Sequence, residues 1–219
     1  MRAVPTVLIA FALSLSLSGR PAAQAETLGD ARIGFSAERV LVIDGRRFVG
    51  PMWQMPGKQR SEQALPAVTP VLLLFADRKD GDILLPPLHT AVPFAPPKAF
   101  ALLHAPGLLR RPIGREDIDG VATIRYAVDV AAPEGRATGS LWLSRDGIPM
   151  RTDARFRAQD GKVTTIHWQL RHLRIGPQPA ALFAVPCGYR LLPAEAVAPL
   201  LGLRLPKARR AATPAAPSP

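Results

Sequence analysis

The sequence predicts a mostly β protein built as an antiparallel sheet, and three observations carry that reading. Acid–Gly pairs recur at Asp44-Gly45, Asp80-Gly81, Asp119-Gly120, Asp146-Gly147 and Asp160-Gly161, with Glu134-Gly135 as a sixth. Asp-Gly suits the type I′ hairpin turn, whose two central residues both take positive φ. The segments between these pairs alternate apolar and polar residues at the period of two that marks a half-buried strand. Proline, at 24 of 219 residues, is about twice as frequent as usual and argues against an all-helical chain.

The elements follow in order. Arg32 to Ile43 runs into Asp44-Gly45, and Arg46 to Met55 returns beside it. Val71-Leu72-Leu73-Leu74-Phe75 is a continuous apolar run, the mark of a strand covered on both faces. Ile83 to Leu85 is a short partner after Asp80-Gly81. Pro97 to His104 is expected to be helical, with prolines at its start, where a helix tolerates them. Val121 to Val130 places Ala122, Ile124, Tyr126, Val128 and Val130 on one face and Thr123, Arg125 and Asp129 on the other. Ala137 to Ser144 carries Leu141 and Leu143 on one face and Trp142 on the other. Met150 to Ala158 is a more polar strand. In Lys162 to Ile175, Ile166, Trp168 and Leu170 share a face before the apolar parity switches to Leu173 and Ile175. A switch of parity within one strand predicts a bulge near Arg171. These last four strands are expected to form a meander. Pro193 to Leu201, ended by Gly202, is a second helix, and the Ala/Pro-rich basic tail from Pro206 is expected to be disordered.

The N-terminus has the pattern of a secretory signal. Arg2 precedes an apolar stretch of 14 residues, Val4 to Leu17, too short to span a bilayer. Ala23-Gln24-Ala25 fits the small-x-small cleavage rule, so cleavage is expected after Ala25. Three segments result: a signal at 1–25, a single domain at 26–205 and a tail at 206–219. Losing Arg2 and Arg20 from a net charge of +11 leaves a mature charge of +9. Such a surplus favours anionic membrane surfaces or an acidic protein partner; export argues against nucleic acid.

Catalytic signatures are missing from the sequence. It holds no GxSxG, HExxH, GxGxxG or P-loop. Cys187, the one cysteine, excludes a disulfide framework and is expected to be a small buried residue. His167 and His172 are the best metal pair on offer. Five residues of strand set their Cα atoms about 16 Å apart, too far for one ion to bridge easily. Glu116, Asp117 and Asp119 read as a solvated loop before Gly120. The expectation is a non-enzymatic protein with no cofactor and no metal.

The large apolar side chains invite a different function. Met52, Trp53 and Met55 lie on one strand, so either Trp53 with Met55, or Met52 alone, faces the core. Trp142 and Trp168 fall on neighbouring expected strands. Ordinary core packing accounts for such residues; so does a sheet curled around an apolar cavity with helices closing its mouth. On the second reading the lining is Phe35, Met52, Trp53, Met55, Leu72, Leu74, Ile124, Tyr126, Trp142 and Trp168.

Several stretches resemble one family. Phe35-Ser36-Ala37-Glu38, followed by Met55-Pro56-Gly57-Lys58-Gln59-Arg60-Ser61-Glu62, is similar to the opening of LolA-like periplasmic domains. Ile118-Asp119-Gly120 with Ile124-Arg125-Tyr126 resembles a later strand of those domains. The run Gly139-Ser140-Leu141-Trp142-Leu143-Ser144-Arg145-Asp146-Gly147-Ile148-Pro149-Met150-Arg151 resembles their central hairpin. Leu182-Phe183-Ala184-Val185-Pro186-Cys187-Gly188-Tyr189 resembles their closing segment. The resemblance implies a curled antiparallel sheet forming an incomplete β-barrel, with short helices across its concave face. It implies a soluble periplasmic protein that binds a lipid, an acyl chain or a lipoprotein there. An interior arginine that closes a lid is typical of the carriers, and Arg46, Arg47 and Arg60 are the candidates. The alternative is an envelope sensor or protein-interaction module of the same fold, using strand addition at a sheet edge. A monomer is expected, and an anionic membrane surface is a further expected partner.

Overall fold

The computed structural model describes residues 33–64, 68–78, 80–94, 110–132 and 135–197. The expected signal, the Pro97–His104 helix, Glu134, the end of the Pro193–Leu201 helix and the tail lie outside the described residues.

Twelve strands are present among the described residues: β1 (Phe35–Ile43), β2 (Arg46–Met55), β3 (Lys58–Glu62), β4 (Val71–Phe75), β5 (Gly81–Leu85), β6 (Thr90–Phe94), β7 (Arg110–Ile118), β8 (Val121–Ala132), β9 (Gly135–Ser144), β10 (Pro149–Ala158), β11 (Val163–Ile175) and β12 (Arg190–Leu191). They form one sheet in the order β12-β6-β5-β4-β3-β2-β1-β11-β10-β9-β8-β7. Two meanders, β1 to β6 and β7 to β11, are therefore joined by the antiparallel pairing of β1 with β11. Only β12 runs parallel to its neighbour. The edge strands β7 and β12 do not meet, so the sheet is not a closed barrel.

The hairpins follow the local turn chemistry. Asp44 (φ 48°) with Gly45 (φ 80°), and Asp119 (φ 51°) with Gly120 (φ 76°), hold both central residues left-handed, as a type I′ turn requires. At Asp146-Gly147 and Asp160-Gly161 only the glycine is left-handed (φ 78° and 82°), which fits longer loops that end in one such residue. The expected turn at Asp80-Gly81 is corrected: Gly81 is already the first residue of β5, and neither residue has positive φ.

The sheet curls. The Asp119 carboxylate accepts a hydrogen bond from the backbone N–H of His172 at 2.6 Å. Asp119 sits at the β7–β8 turn and His172 on β11, with β9 and β10 between β8 and β11. In a flat sheet three strand spacings put those positions about 14 Å apart. The expected bulge in β11 is present. The register against β1 shifts between Ser36 and Glu38, and His172 takes φ 54°. That extra residue restores Leu173 to the side of Ala37, where it packs against Phe35, Met52 and Leu170.

Beyond β11 the chain forms a strap. Gly176 N–H bonds the Gly34 carbonyl at 2.9 Å, Phe183 is buried, and Tyr189 packs on Val71, Leu73, Leu84 and Ala91. After β12 the strap rounds the β6 edge, and Val197 packs on Leu85 and Val92, which point to the opposite face. The helix expected at Pro97–His104 lies outside the described residues, as does the end of the one expected at Pro193–Leu201. Among the described residues the helical content is one turn at Ala194–Val197 and 3-10 turns at Pro86–Leu88 and Ala180–Phe183. Cys187 is corrected from buried to exposed; it lies in a turn with Gly188 (φ 84°). Glu116 and Asp117 are corrected from loop to strand β7.

The curl gives a measurable expectation. Asp119→Ala removes the acceptor of the His172 N–H and should cost about 1–2 kcal/mol in urea unfolding. Asp119→Asn keeps a carbonyl acceptor and tolerates positive φ, so it should retain most of that stability. Equal losses in both variants would contradict this tie.

Candidate functional site

Strand register sorts every side chain onto one of two faces. Along one face, cross-strand partners give the row Leu41, Trp168, Thr152, Leu141 and Tyr126 across β1, β11, β10, β9 and β8. The next row is Ile43, Ile166, Ala154, Gly139 and Val128. A Cβ at Gly139 would collide with the Asp153 backbone, so glycine lets β9 and β10 meet closely there. This is an apolar carpet five strands wide.

Seven of the ten expected lining residues lie on this face. Phe35 and Met52 are buried beside Leu170, Leu72 and Leu74 are half-buried on β4, and Ile124, Tyr126 and Trp168 belong to the carpet. Trp53, Met55 and Trp142 point to the other face, opposite Arg60, Lys58 and Arg151. Met52 rather than Trp53 is thus the core residue of β2. Trp142 and Trp168 are not neighbours: β10 separates their strands and they face opposite ways.

A buried arginine interrupts the apolar face. Arg39 lies between Gly50 of β2 and Leu170 of β11 and is 4% exposed. Its Nη1 donates to the Ser61 hydroxyl at 3.1 Å. Its Nε is buried without a hydrogen-bond partner, and no acid pairs with it among the described residues. Burial alone lowers its pKa from the ordinary guanidinium value to about 10, because loss of water disfavours the charged form. The three arginines considered for an interior role sit elsewhere. Arg46 and Arg47 are exposed, and Arg60 binds Glu62 at 2.6 Å, the Leu182 carbonyl at 3.1 Å and the Trp53 ring. Arg39 was nonetheless readable from parity: it follows Phe35 and Ala37 at steps of two on β1.

The opposite face carries a polar network. Trp142 is 3% exposed, held between the guanidinium groups of Arg125 (4.9 Å) and Arg151 (4.7 Å), which sit over its ring. Its indole N–H donates to Glu116 at 2.7 Å. Arg151 pairs with Asp153 at 2.6 Å, and the other oxygen of Asp153 is hydrogen-bonded to His167 Nδ1. An Asp–His pair is the orienting half of an acid–base site, but the near hydroxyl, Thr165, is committed to Asp44 at 3.3 Å. His172 lies at the bulge, its backbone held by Asp119. Among the described residues no three His, Cys, Asp or Glu side chains gather as a metal set, and no helix is long and apolar enough to cross a membrane.

Comparison with known proteins adds likenesses of structure. No family model and no curated protein matches the chain. Among solved structures the chain is similar to MucB in complex with MucA(peri), with 20% identity and a TM-score of 0.44 over 70% of this chain and 55% of that one. It is similar to an uncharacterised conserved protein of Thermus thermophilus, at 13% identity and a TM-score of 0.49, over 74% of this chain and 91% of that one. It is also similar to a LolA superfamily protein from Nitrosomonas europaea, at 9% identity and a TM-score of 0.40, over 73% and 94%. The chain spans little more than half the length of the MucB structures it matches.

Arg39 is a buried cation with no acidic partner among the described residues. The burial penalty is present at every pH below about 10 and fades above it, where the native arginine loses its proton while the unfolded one still holds it. Arg39→Met with Ser61→Ala removes both the cation and the hydroxyl it would orphan. At neutral pH the double variant should be about 1–3 kcal/mol more stable than the parent in denaturant unfolding. A large loss of stability would mean that Arg39 is already satisfied.

Proposed function

We propose that this is an exported, non-enzymatic periplasmic protein that holds an acyl chain or similar amphiphile on its apolar face. The observation that carries the reading is Arg39: a buried cation with an unmet Nε–H at the border of an apolar carpet. A fully self-filled core gains nothing from such a residue, whereas an amphiphile supplies what it lacks. Leu41, Leu141, Ala154, Ile166 and Val128 are already buried, so the chain lies against the half-buried Ile43, Trp168 and Tyr126 and the exposed Ile124, and its carboxylate or phosphate end pairs with the guanidinium in a charge-assisted hydrogen bond. Each methylene taken out of water contributes about 0.8 kcal/mol, so eight buried methylenes give about 6 kcal/mol before the costs of binding. In this reading the curled sheet is a half-barrel with the apolar face inside and short helices across it. The basic mature chain is drawn to anionic membranes, where such ligands are found.

Trp168 reports on this face, while Trp53 and Trp142 face away. A fatty acid brominated along its chain should quench Trp168 saturably in a variant carrying Trp53→Phe and Trp142→Phe. Arg39→Met should weaken that binding by about tenfold, the worth of one charge-assisted bond. Quenching that never saturates, or that is indifferent to Arg39, would overturn the reading and favour a protein partner.

A further inference from the structure

The polar face holds a depression of about 580 Å³ that lies over β1, β11, β10 and β9. Its walls include Val42, Thr138, Asp153, Arg155, Thr165 and His167. The register places all six side chains on the face opposite the apolar carpet. Of the acids around it, Asp153 and Asp129 are paired with cations, while Asp44 keeps its charge and accepts hydrogen bonds from Thr165. Asp153 is bound by Arg151 and His167. Asp44 accepts from the Thr165 backbone N–H at 2.8 Å and from its hydroxyl. Asp129 is paired with Arg136 at 2.5 Å.

The cations are not committed in the same way. Arg155 is exposed at the depression and has no acidic partner among the described residues. Arg157, two residues along β10, and Arg47, opposite Val42 on β2, are likewise exposed and unpaired there. The result is a local positive surplus around a concavity, with a planar guanidinium and the Thr138 hydroxyl as donors. A guanidinium matches two oxygens of a phosphate at once, which a point charge cannot do.

We propose that this depression is an anion site for a phosphate ester group, presented by a lipid headgroup or free in solution, with Arg155 as its principal ligand. The site is independent of the apolar face, and neither stands or falls with the other.

The test uses two probes on the whole protein. Inorganic phosphate is titrated by calorimetry, and vesicles of phosphatidylglycerol are compared with vesicles of phosphatidylcholine by co-flotation. Arg155→Ala is set against Arg46→Ala, which removes the same charge from an exposed position on the other face. Both positions are exposed, and near-ultraviolet circular dichroism checks that each variant is folded. Arg155→Ala should weaken binding by about tenfold and Arg46→Ala by less than about twofold. Saturable phosphate binding that depends on Arg155 supports a site for the free anion. Arg155-dependent flotation with phosphatidylglycerol alone supports a headgroup site. Equal losses in the two variants mean diffuse charge, and no binding of either probe means no site; both overturn the proposal.

Discussion

Everything in this structure depends on one constraint: a single ladder of hydrogen-bonded strands that never closes on itself. Period-two alternation then gives each side chain a permanent side. A closed barrel would seal one face from water by geometry alone. An open sheet of this width must cover its apolar face by curling, by folding its own chain across, or by taking a partner. The Asp119–His172 bond shows the first solution at one end. The strap from Gly176 to Val197 crosses the face of Trp53 and Arg60, where it covers Val71, Leu73, Leu84 and Ala91, then pairs with the β6 edge and turns onto the apolar face over Leu85 and Val92.

The two faces carry opposite electrostatic problems. On the apolar face, Arg39 has lost its water and gained only a serine hydroxyl, which is why its pKa falls. On the polar face, most charged side chains keep their water and settle into short networks. The Trp142 ring is a member of the buried apolar cluster with Ile118, Ile148 and Met150, and Arg125 and Arg151 sit over it. The first situation leaves a desolvated cation without a counter-charge among the described residues; the second is largely satisfied, except where Arg155 borders its depression.

Much of this was legible in the residues. The alternation of Val121 to Val130 set the faces of β8, and the parity switch after Leu170 located the β11 bulge to within one residue of His172. Asp44-Gly45 and Asp119-Gly120 marked true two-residue hairpins. The edge and border strands were not legible. Strand β7 reads Arg-Arg-Pro-Ile-Gly-Arg-Glu-Asp-Ile, with a proline, a glycine and five charges; it is a strand because β8 offers it a ladder, and a polar edge resists pairing with other chains. Strand β6 is a short hairpin partner of β5, and the two-residue β12 forms only because Arg190 and Leu191 reach Thr90 and Ala91, far away in sequence. The separation of Trp142 from Trp168 needed the register, since parity within a strand does not say which face of the next strand it joins. Arg39 could have been placed by parity, but its missing partner is a property of the folded core alone.

The most direct measurement is native mass spectrometry of the protein purified from the cells that make it, followed by organic extraction. An amphiphile on the apolar face requires a discrete added mass that extracts as an acylated molecule and is lost or reduced in Arg39→Met. A bare protein mass that gains nothing on incubation with phospholipid or acylated peptide would contradict it.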